Sequence, residues 1–467
     1  MLKLSRSLCA HRLIHAMSVA ALSVLFIPWH PATAAGATLH HYKYVDIGTF
    51  GGPNVSLPIE PRAQLLNDRG VVVGQADTPT PNPYYPNDNQ TFFGVDANVA
   101  HALQWRQGVL TDLGTLPGGV DSLAVWINQS GVVGGLSEDG EIDPLLGVPR
   151  STAVLWVDGK ILSLGTLDGG YESAVNSIND HGQAVGVASN GVLDPYSMLS
   201  LVTQTRSFLW ENGQMRDLGT LGGPDAFALY VNEAGQVAGS SYTNATANAT
   251  TGVPTVDPFL WEHGVMHDLG TLGGVSGAAY ALNDAGEVAG QSNLAGDVIY
   301  HAFLWTKAGG MRDLGTLGGN YSTASWINNA GEIVGWATTA GDQTYHAVRW
   351  TNGGVTDLGA LEALPCGSAY TNNSDGQVVG ELDDCVGGPL HAALYQDGQA
   401  IDLNRLIPAG SGVLLYEAAF INDRGEIVGN ATVVSTGDNH AFLLIPCDDN
   451  HPNVAGCDYG LVEAAKQ

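Results

Sequence analysis

Ile421-Asn422-Asp423-Arg424-Gly425-Glu426-Ile427-Val428-Gly429 decides the fold of this chain. An apolar residue leads into Asn, two polar residues follow, then Gly, and a second apolar run closes on another Gly. Asn favours the first position of a type I turn, and Gly three places on takes the positive φ of a hairpin bulge. The stretch reads as a β-hairpin: strand a, tight turn, strand b. Its Asn and first Gly recur as Asn67/Gly70, Asn128/Gly131, Asn179/Gly182, Asn232/Gly235, Asn283/Gly286, Asn328/Gly331, Asn373/Gly376 and Asn422/Gly425. A period of 45 to 61 residues marks an array of supersecondary units.

A second hairpin follows in each copy. Strand c is the block His301-Ala302-Phe303-Leu304-Trp305 and its relatives, and strand d ends in Asp-Leu-Gly, as in Met311-Arg312-Asp313-Leu314-Gly315. Helix patterns are nearly absent, because Gly and β-branched residues interrupt every candidate window. The order of pieces predicts closure. Near the start stands a lone strand d, Tyr44-Val45-Asp46-Ile47-Gly48, whereas the last copy has only strands a, b and c, finishing at His440-Ala441-Phe442-Leu443-Leu444. One end supplies what the other lacks, and a ring leaves no edge unpaired. The fold class expected is all-β: an eight-bladed β-propeller of four-stranded blades, its N-terminal strand completing the last blade. An open solenoid would need distinct caps.

His-Ala-Phe-Leu-Trp followed by Asp-Leu-Gly-Thr-Leu-Gly-Gly resembles the HAF-repeat family of bacterial extracellular proteins, over residues 44–444. The resemblance implies export and transfers no activity and no catalytic residues. Several copies depart from it: Thr152, Arg206 and Asp257 stand in place of the His, and Ser163 in place of the Asp.

The first residues read as a secretory leader. Lys3, Arg6 and Arg12 form a basic region, Ala16–Trp29 is apolar but short for a bilayer span, and Ala32-Thr33-Ala34 is a small-x-small cleavage pattern. The expected organisation is a signal peptide over 1–34, a propeller over 35–446 and a tail over 447–467. Cleavage leaves no membrane span and makes a formal charge of −29 more negative still. Such a surface repels nucleic acid and anionic lipid. Four cysteines remain, an even number for an oxidising compartment. Cys366 and Cys385 fall in successive connections on one face, and Cys447 and Cys457 follow the closing blade, so Cys366–Cys385 and Cys447–Cys457 are the expected bridges; the latter would pin the tail.

Catalytic signatures are missing: there is no His-Glu-x-x-His, no Gly-x-Ser-x-Gly and no phosphate loop with its Lys. The repeated Trp and His residues are expected to pack between blades and to tie neighbouring strands. Ser137-Glu138-Asp139-Gly140-Glu141-Ile142-Asp143 is acidic but lacks the alternating spacing of a calcium loop. Differences between copies carry the functional signal. Between the closing Gly of strand b and the start of strand c, the last four copies have ten residues each; the first four have 26, 16, 19 and 17. Seven residues before the repeat Asn, the first four copies carry Glu60, Asp121, Glu172 and Asp225, and the later ones Ser276, Tyr321, Cys366 and Leu415. These carboxylates are expected as an arc at the channel mouth, beneath a lip of long loops. The longest loop adds Tyr84, Tyr85, Phe92 and Phe93, near Asp88 and Asp96. The expectation is a monomeric, non-catalytic binding or scaffold propeller with an extracellular glycan or protein as ligand. No cofactor is required, although the arc has the charge for a divalent cation. The alternative is a glycan-cleaving enzyme that uses two of these carboxylates as acid and base.

Overall fold

The computed structural model describes residues 39–58, 63–351, 354–460 and 462; the expected leader and Glu60 lie outside them. Strands make up nearly all the regular structure, with one 3₁₀ turn at Leu403–Arg405. The hairpin chemistry acts as the turn rules require. Gly70, Gly131 and Gly425 have φ of 71°, 96° and 76°, the left-handed region that favours glycine. Asn128 Oδ1 accepts the N–H of Gly131 and of Val132, which fixes the turn locally.

Hydrogen bonds gather the strands into six sheets, five of four strands and one of twelve. The twelve-stranded sheet comprises three antiparallel four-stranded runs, the fourth, fifth and sixth repeats. Single parallel pairs join them, Val256 with Ser276 and Tyr300 with Tyr321. The N-terminal strand Tyr42–Asp46 pairs antiparallel with Asn439–Pro446 and completes the last sheet, beginning two residues earlier than the sequence pattern indicates. His440 Nδ1 meets Asp46 Oδ2 at 2.8 Å and clips this strand in place. The same strand c to strand d clip joins His101 to Asp112, His301 to Asp313, His346 to Asp357 and His391 to Asp402. Arg206 takes over the role with Asp217.

The repeat asparagines do more than turn the chain. Asn67 Nδ2 donates to the carbonyl of Asn128, Asn128 to Asn179, Asn179 to Asn232, Asn232 to Asn283, Asn283 to Asn328, Asn328 to Asn373, and Asn373 to Asn422. Asn422 Nδ2 then donates to Asn67 O and closes the circle. Each side chain thus spends its oxygen on its own turn and its amide on the next repeat. Asp has the oxygen but no donor, which explains why no copy substitutes it. This cyclic arrangement of sheets is a β-propeller. Each such bond contributes about 1 kcal/mol, and the ring excludes an open array.

Between sheets lie the repeated tryptophans: Trp156 Nε1 donates to Leu113 O of the preceding repeat, and Arg216 stacks over Trp261 at 4.8 Å. The axis is filled by a different set. Trp126, Tyr230, Trp326 and Phe420 meet edge to face, with centroids 5.8, 5.9 and 5.9 Å apart. They come from alternate repeats, each two residues before the Asn. The intervening repeats place Leu65, Ser177, Ala281 and Thr371 there. Large and small side chains alternate so that four rings plug a hole eight could not enter.

Both expected cysteine pairs are within bonding distance, Cys366 with Cys385 and Cys447 with Cys457. Cys447 N–H donates to His41 O and Val462 N–H to Leu39 O, so the tail lies against the start of the described chain. No helix among the described residues is long and apolar enough to cross a membrane.

Candidate functional site

The d-to-a and b-to-c connections share one face, and its two halves are built differently. In the first three repeats strands b and c extend outward, as Val71–Pro81 with Asn98–Arg106, Val133–Ile142 with Pro149–Val157, and Ala184–Leu193 with Thr203–Glu211. The acidic stretch Ser137–Ile142 belongs to one of these strands. In the sixth repeat strand b is only Ile333–Thr339.

The carboxylates do not form an open arc. Asp121, Glu172 and Asp225 are 3%, 1% and 0% exposed, each at the seam between its own sheet and the preceding one. Asp121 Oδ1 accepts the N–H of Ala100, Glu172 Oε2 that of Ser151, and Asp225 Oδ1 that of Thr205. These donors occupy one equivalent position, the residue before strand c's first repeat residue. In place of the expected arc at the channel mouth, beneath the lip, these three acids sit buried at seams: a seam donor that strand pairing leaves unmatched draws the acid inward. In the sixth repeat Tyr345 N–H donates to Cys366 Sγ instead.

Burial raises these acids. Asp121 is pushed up to about 6, and Glu172 to about 8, where Asp143 adds to the effect. Glu138, which accepts the N–H groups of Val120 and Asp121, rises to about 7 through burial and the neighbouring Asp121 charge. Asp225 is driven upward by burial and by Asp194 within hydrogen-bonding reach.

The long loops fold over this half. Asn89 Nδ2 donates to both Glu172 Oε2 and Pro149 O, and Asn82 Nδ2 to Asp121 Oδ2. Phe92 and Phe93 are half-buried, packed with Leu199 on an apolar cluster of Leu136, Ala174 and Val187. Tyr84 is half-buried and Tyr85 is 53% exposed. Asp88 is buried, and its carboxyl is pushed upward by burial. The structure thus brings the loop aromatics and carboxylates together as a packed cover.

Sequence reasoning passed over the opposite half. Tyr300 and Tyr321 lie with ring centroids 5.0 Å apart, Trp336 is 6.3 Å from Tyr300 and 5.7 Å from Tyr345, and all four are half-buried. The Tyr345 hydroxyl donates to Asp383 Oδ2. Thr323, the cross-strand partner of Trp336, donates to Gln291 Oε1 at 2.9 Å. The available signal was the departure of single copies from the repeat. Positions equivalent to Trp336 hold Gln75, Leu136, Val187, Ser240, Gln291, Glu381 and Asn430, none of them aromatic.

Among the described residues, three metal-capable side chains converge only at Cys366, Asp383 and Cys385, where the sulfurs are paired with each other and not free as thiolates.

No family model and no curated protein matches the chain. Solved structures similar to it include the β-propeller domain of the trilobed protease from Pyrococcus furiosus, 8% identical, covering 79% of this chain and 97% of that one with a TM-score of 0.43. TolB from Acinetobacter baumannii is 12% identical over 68% of this chain and 64% of its own, with a TM-score of 0.32. The fold assignment rests on the strand pairing and the asparagine ring.

Proposed function

We propose that this chain is an exported, non-catalytic binding or scaffold protein of the HAF-repeat type, an eight-bladed propeller whose ligand face carries the d-to-a and b-to-c connections. The long loops of the first four repeats wall that face on one side. The eight four-stranded runs and eight linked asparagines support the blade count. The twelve-stranded sheet is three blades that touch through one backbone pair at each of two seams. Two disulfides and the leader-like first residues support a place outside the cytoplasm.

One observation carries the non-catalytic reading: Asp121, Glu172 and Asp225 are buried and spent on seam N–H groups. A glycan-cleaving enzyme needs two carboxyl groups facing the scissile bond. Incubation of the protein with extracellular polysaccharides should give retention without release of reducing ends. Asp121→Asn and Glu172→Gln variants should retain whatever the parent retains. Turnover by the parent that either variant abolishes would overturn the reading.

A further inference from the structure

We propose that Tyr300, Tyr321, Trp336 and Tyr345 form a binding site for a neutral polysaccharide; this deepens the reading of the connection face as a ligand face. The repeat does not call for these rings. At the position of Tyr321 other described copies carry Asp121, Glu172, Asp225, Ser276, Cys366 or Leu415. At that of Tyr300 and Tyr345 they carry Ala100, Ser151, Thr205, Val256, Leu390 or Asn439. The fold closes with all of these, so the aromatics are surplus to packing. They also adjoin one another, with successive centroids 5.0 to 6.3 Å apart, on the half of the face that has only short connections.

Half-buried rings offer apolar faces to the C–H faces of sugar rings, while groups at their edges meet hydroxyls. Here those groups are the half-buried Gln291 and Thr323 beside Trp336, and the Tyr345 hydroxyl, held by the buried Asp383. A protein partner fits less well. A stable protein interface buries about 1,000 Å² or more, and the strongly exposed large apolar residues on these connections are Val298, Val386 and Val434, one on each turn of the fifth, seventh and eighth repeats. Charge selects the kind of sugar. A chain of formal charge −29 with 46 acidic residues repels uronic-acid and sulfated polymers and leaves neutral ones.

The test is calorimetric titration of the full chain with cellohexaose, maltohexaose, chitohexaose and hexagalacturonate. At least one neutral hexamer should bind, with hexagalacturonate inert, and Trp336→Gln should weaken that binding about tenfold or more. Gln is the residue of the first and fifth repeats at this position, so the substitution is compatible with the strand; Tyr321→Ser, borrowed from the fifth repeat, is the second variant. Tyr85→Ser on the long loop should leave binding unchanged. Failure of every neutral hexamer overturns the site. So does neutral binding that neither Trp336→Gln nor Tyr321→Ser moves, although the binding-protein reading survives it. Concentration-dependent self-association lost in Trp336→Gln, without hexamer binding, would identify the row as a docking surface between copies. Cleavage of a bound hexamer would overturn the non-catalytic reading while leaving the site intact.

Discussion

The first and second halves of the ring solve the same seam problem with different chemistry. At each seam an N–H at the start of strand c must find a partner. For strands c of repeats one to three a buried carboxyl from the next sheet supplies it. At the two following seams the backbones come together directly, Val256 with Ser276 and Tyr300 with Tyr321. At the next, a cysteine sulfur accepts. A carboxyl holds strands apart by its own length, while a backbone pair draws them close. Repeats four to six are therefore one continuous sheet, and the earlier ones separate. The carboxyl seams are covered by long loops; of the two backbone seams, the one between Tyr300 and Tyr321 leaves half-buried aromatic side chains.

The largest effect should come from removing a seam acid. Asp225→Ala leaves the buried N–H of Thr205 and the part-buried N–H of Met198 unpaired and should cost about 3 kcal/mol; Ser276→Ala, at the same repeat position, should cost less than about 0.5 kcal/mol. Equal shifts in thermal unfolding would erase the distinction between the halves. Next comes the bridge of the second half. Cys366→Ser with Cys385→Ser opens a separation of 19 residues and should cost about 3 kcal/mol, read as a lower denaturant midpoint, with loss of protection at Tyr345.

The pH response should sharpen the comparison. Asp121, Glu138 and Glu172 titrate upward to about 6, 7 and 8 in the folded chain, against about 4 when unfolded. The folded state holds protons that the unfolded state releases. Their stabilisation is complete below about pH 4 and is lost as pH rises through about 6 to 8. His101, raised chiefly by its hydrogen bond to Asp112, also loses its contribution as pH rises. Hydrogen exchange, corrected for intrinsic rates, should show repeats two to four opening between pH 5 and 8 while repeats five to seven hold. Glu172→Gln should flatten that change. A uniform response around the ring would remove the carboxyl seams as its cause.

The smallest effect concerns the fourth repeat, where Asp257 replaces the clip histidine and faces Asp268. Burial and that neighbouring charge push Asp257 upward. Asp257→His should restore the clip and raise stability at pH 7 by about 0.5–1 kcal/mol; a loss would mean the carboxyl pair is itself preferred.

Much of this was legible because hairpins and disulfides follow local rules. Asn and Gly at fixed spacing made the turns, the piece order anticipated that the strand read at Tyr44–Gly48 would complete the last sheet, where the structure has Tyr42–Asp46, and two cysteine pairs followed from their connections. The axial plug was equally legible and was overlooked: Leu65, Trp126, Ser177, Tyr230, Ala281, Trp326, Thr371 and Phe420 alternate in plain view once the repeat is aligned. The acids were found at the right repeat position but given the wrong surroundings, since a sequence does not say whether a carboxyl faces water or an N–H of the preceding sheet.

The sequence by itself determined the repeated hairpin, because turn geometry depends only on residues four apart. It also determined that the repeats are unequal, through loop lengths and substitutions at aligned positions. Only the tertiary structure decided that Asn422 donates to Asn67, that Asp121, Glu172 and Asp225 are inside, and that Tyr300, Tyr321, Trp336 and Tyr345 adjoin. All but the Trp336–Tyr345 contact, which joins paired strands of the sixth repeat, cross a seam between repeats, where the partner is selected by curvature accumulated around the whole ring and by no local pattern.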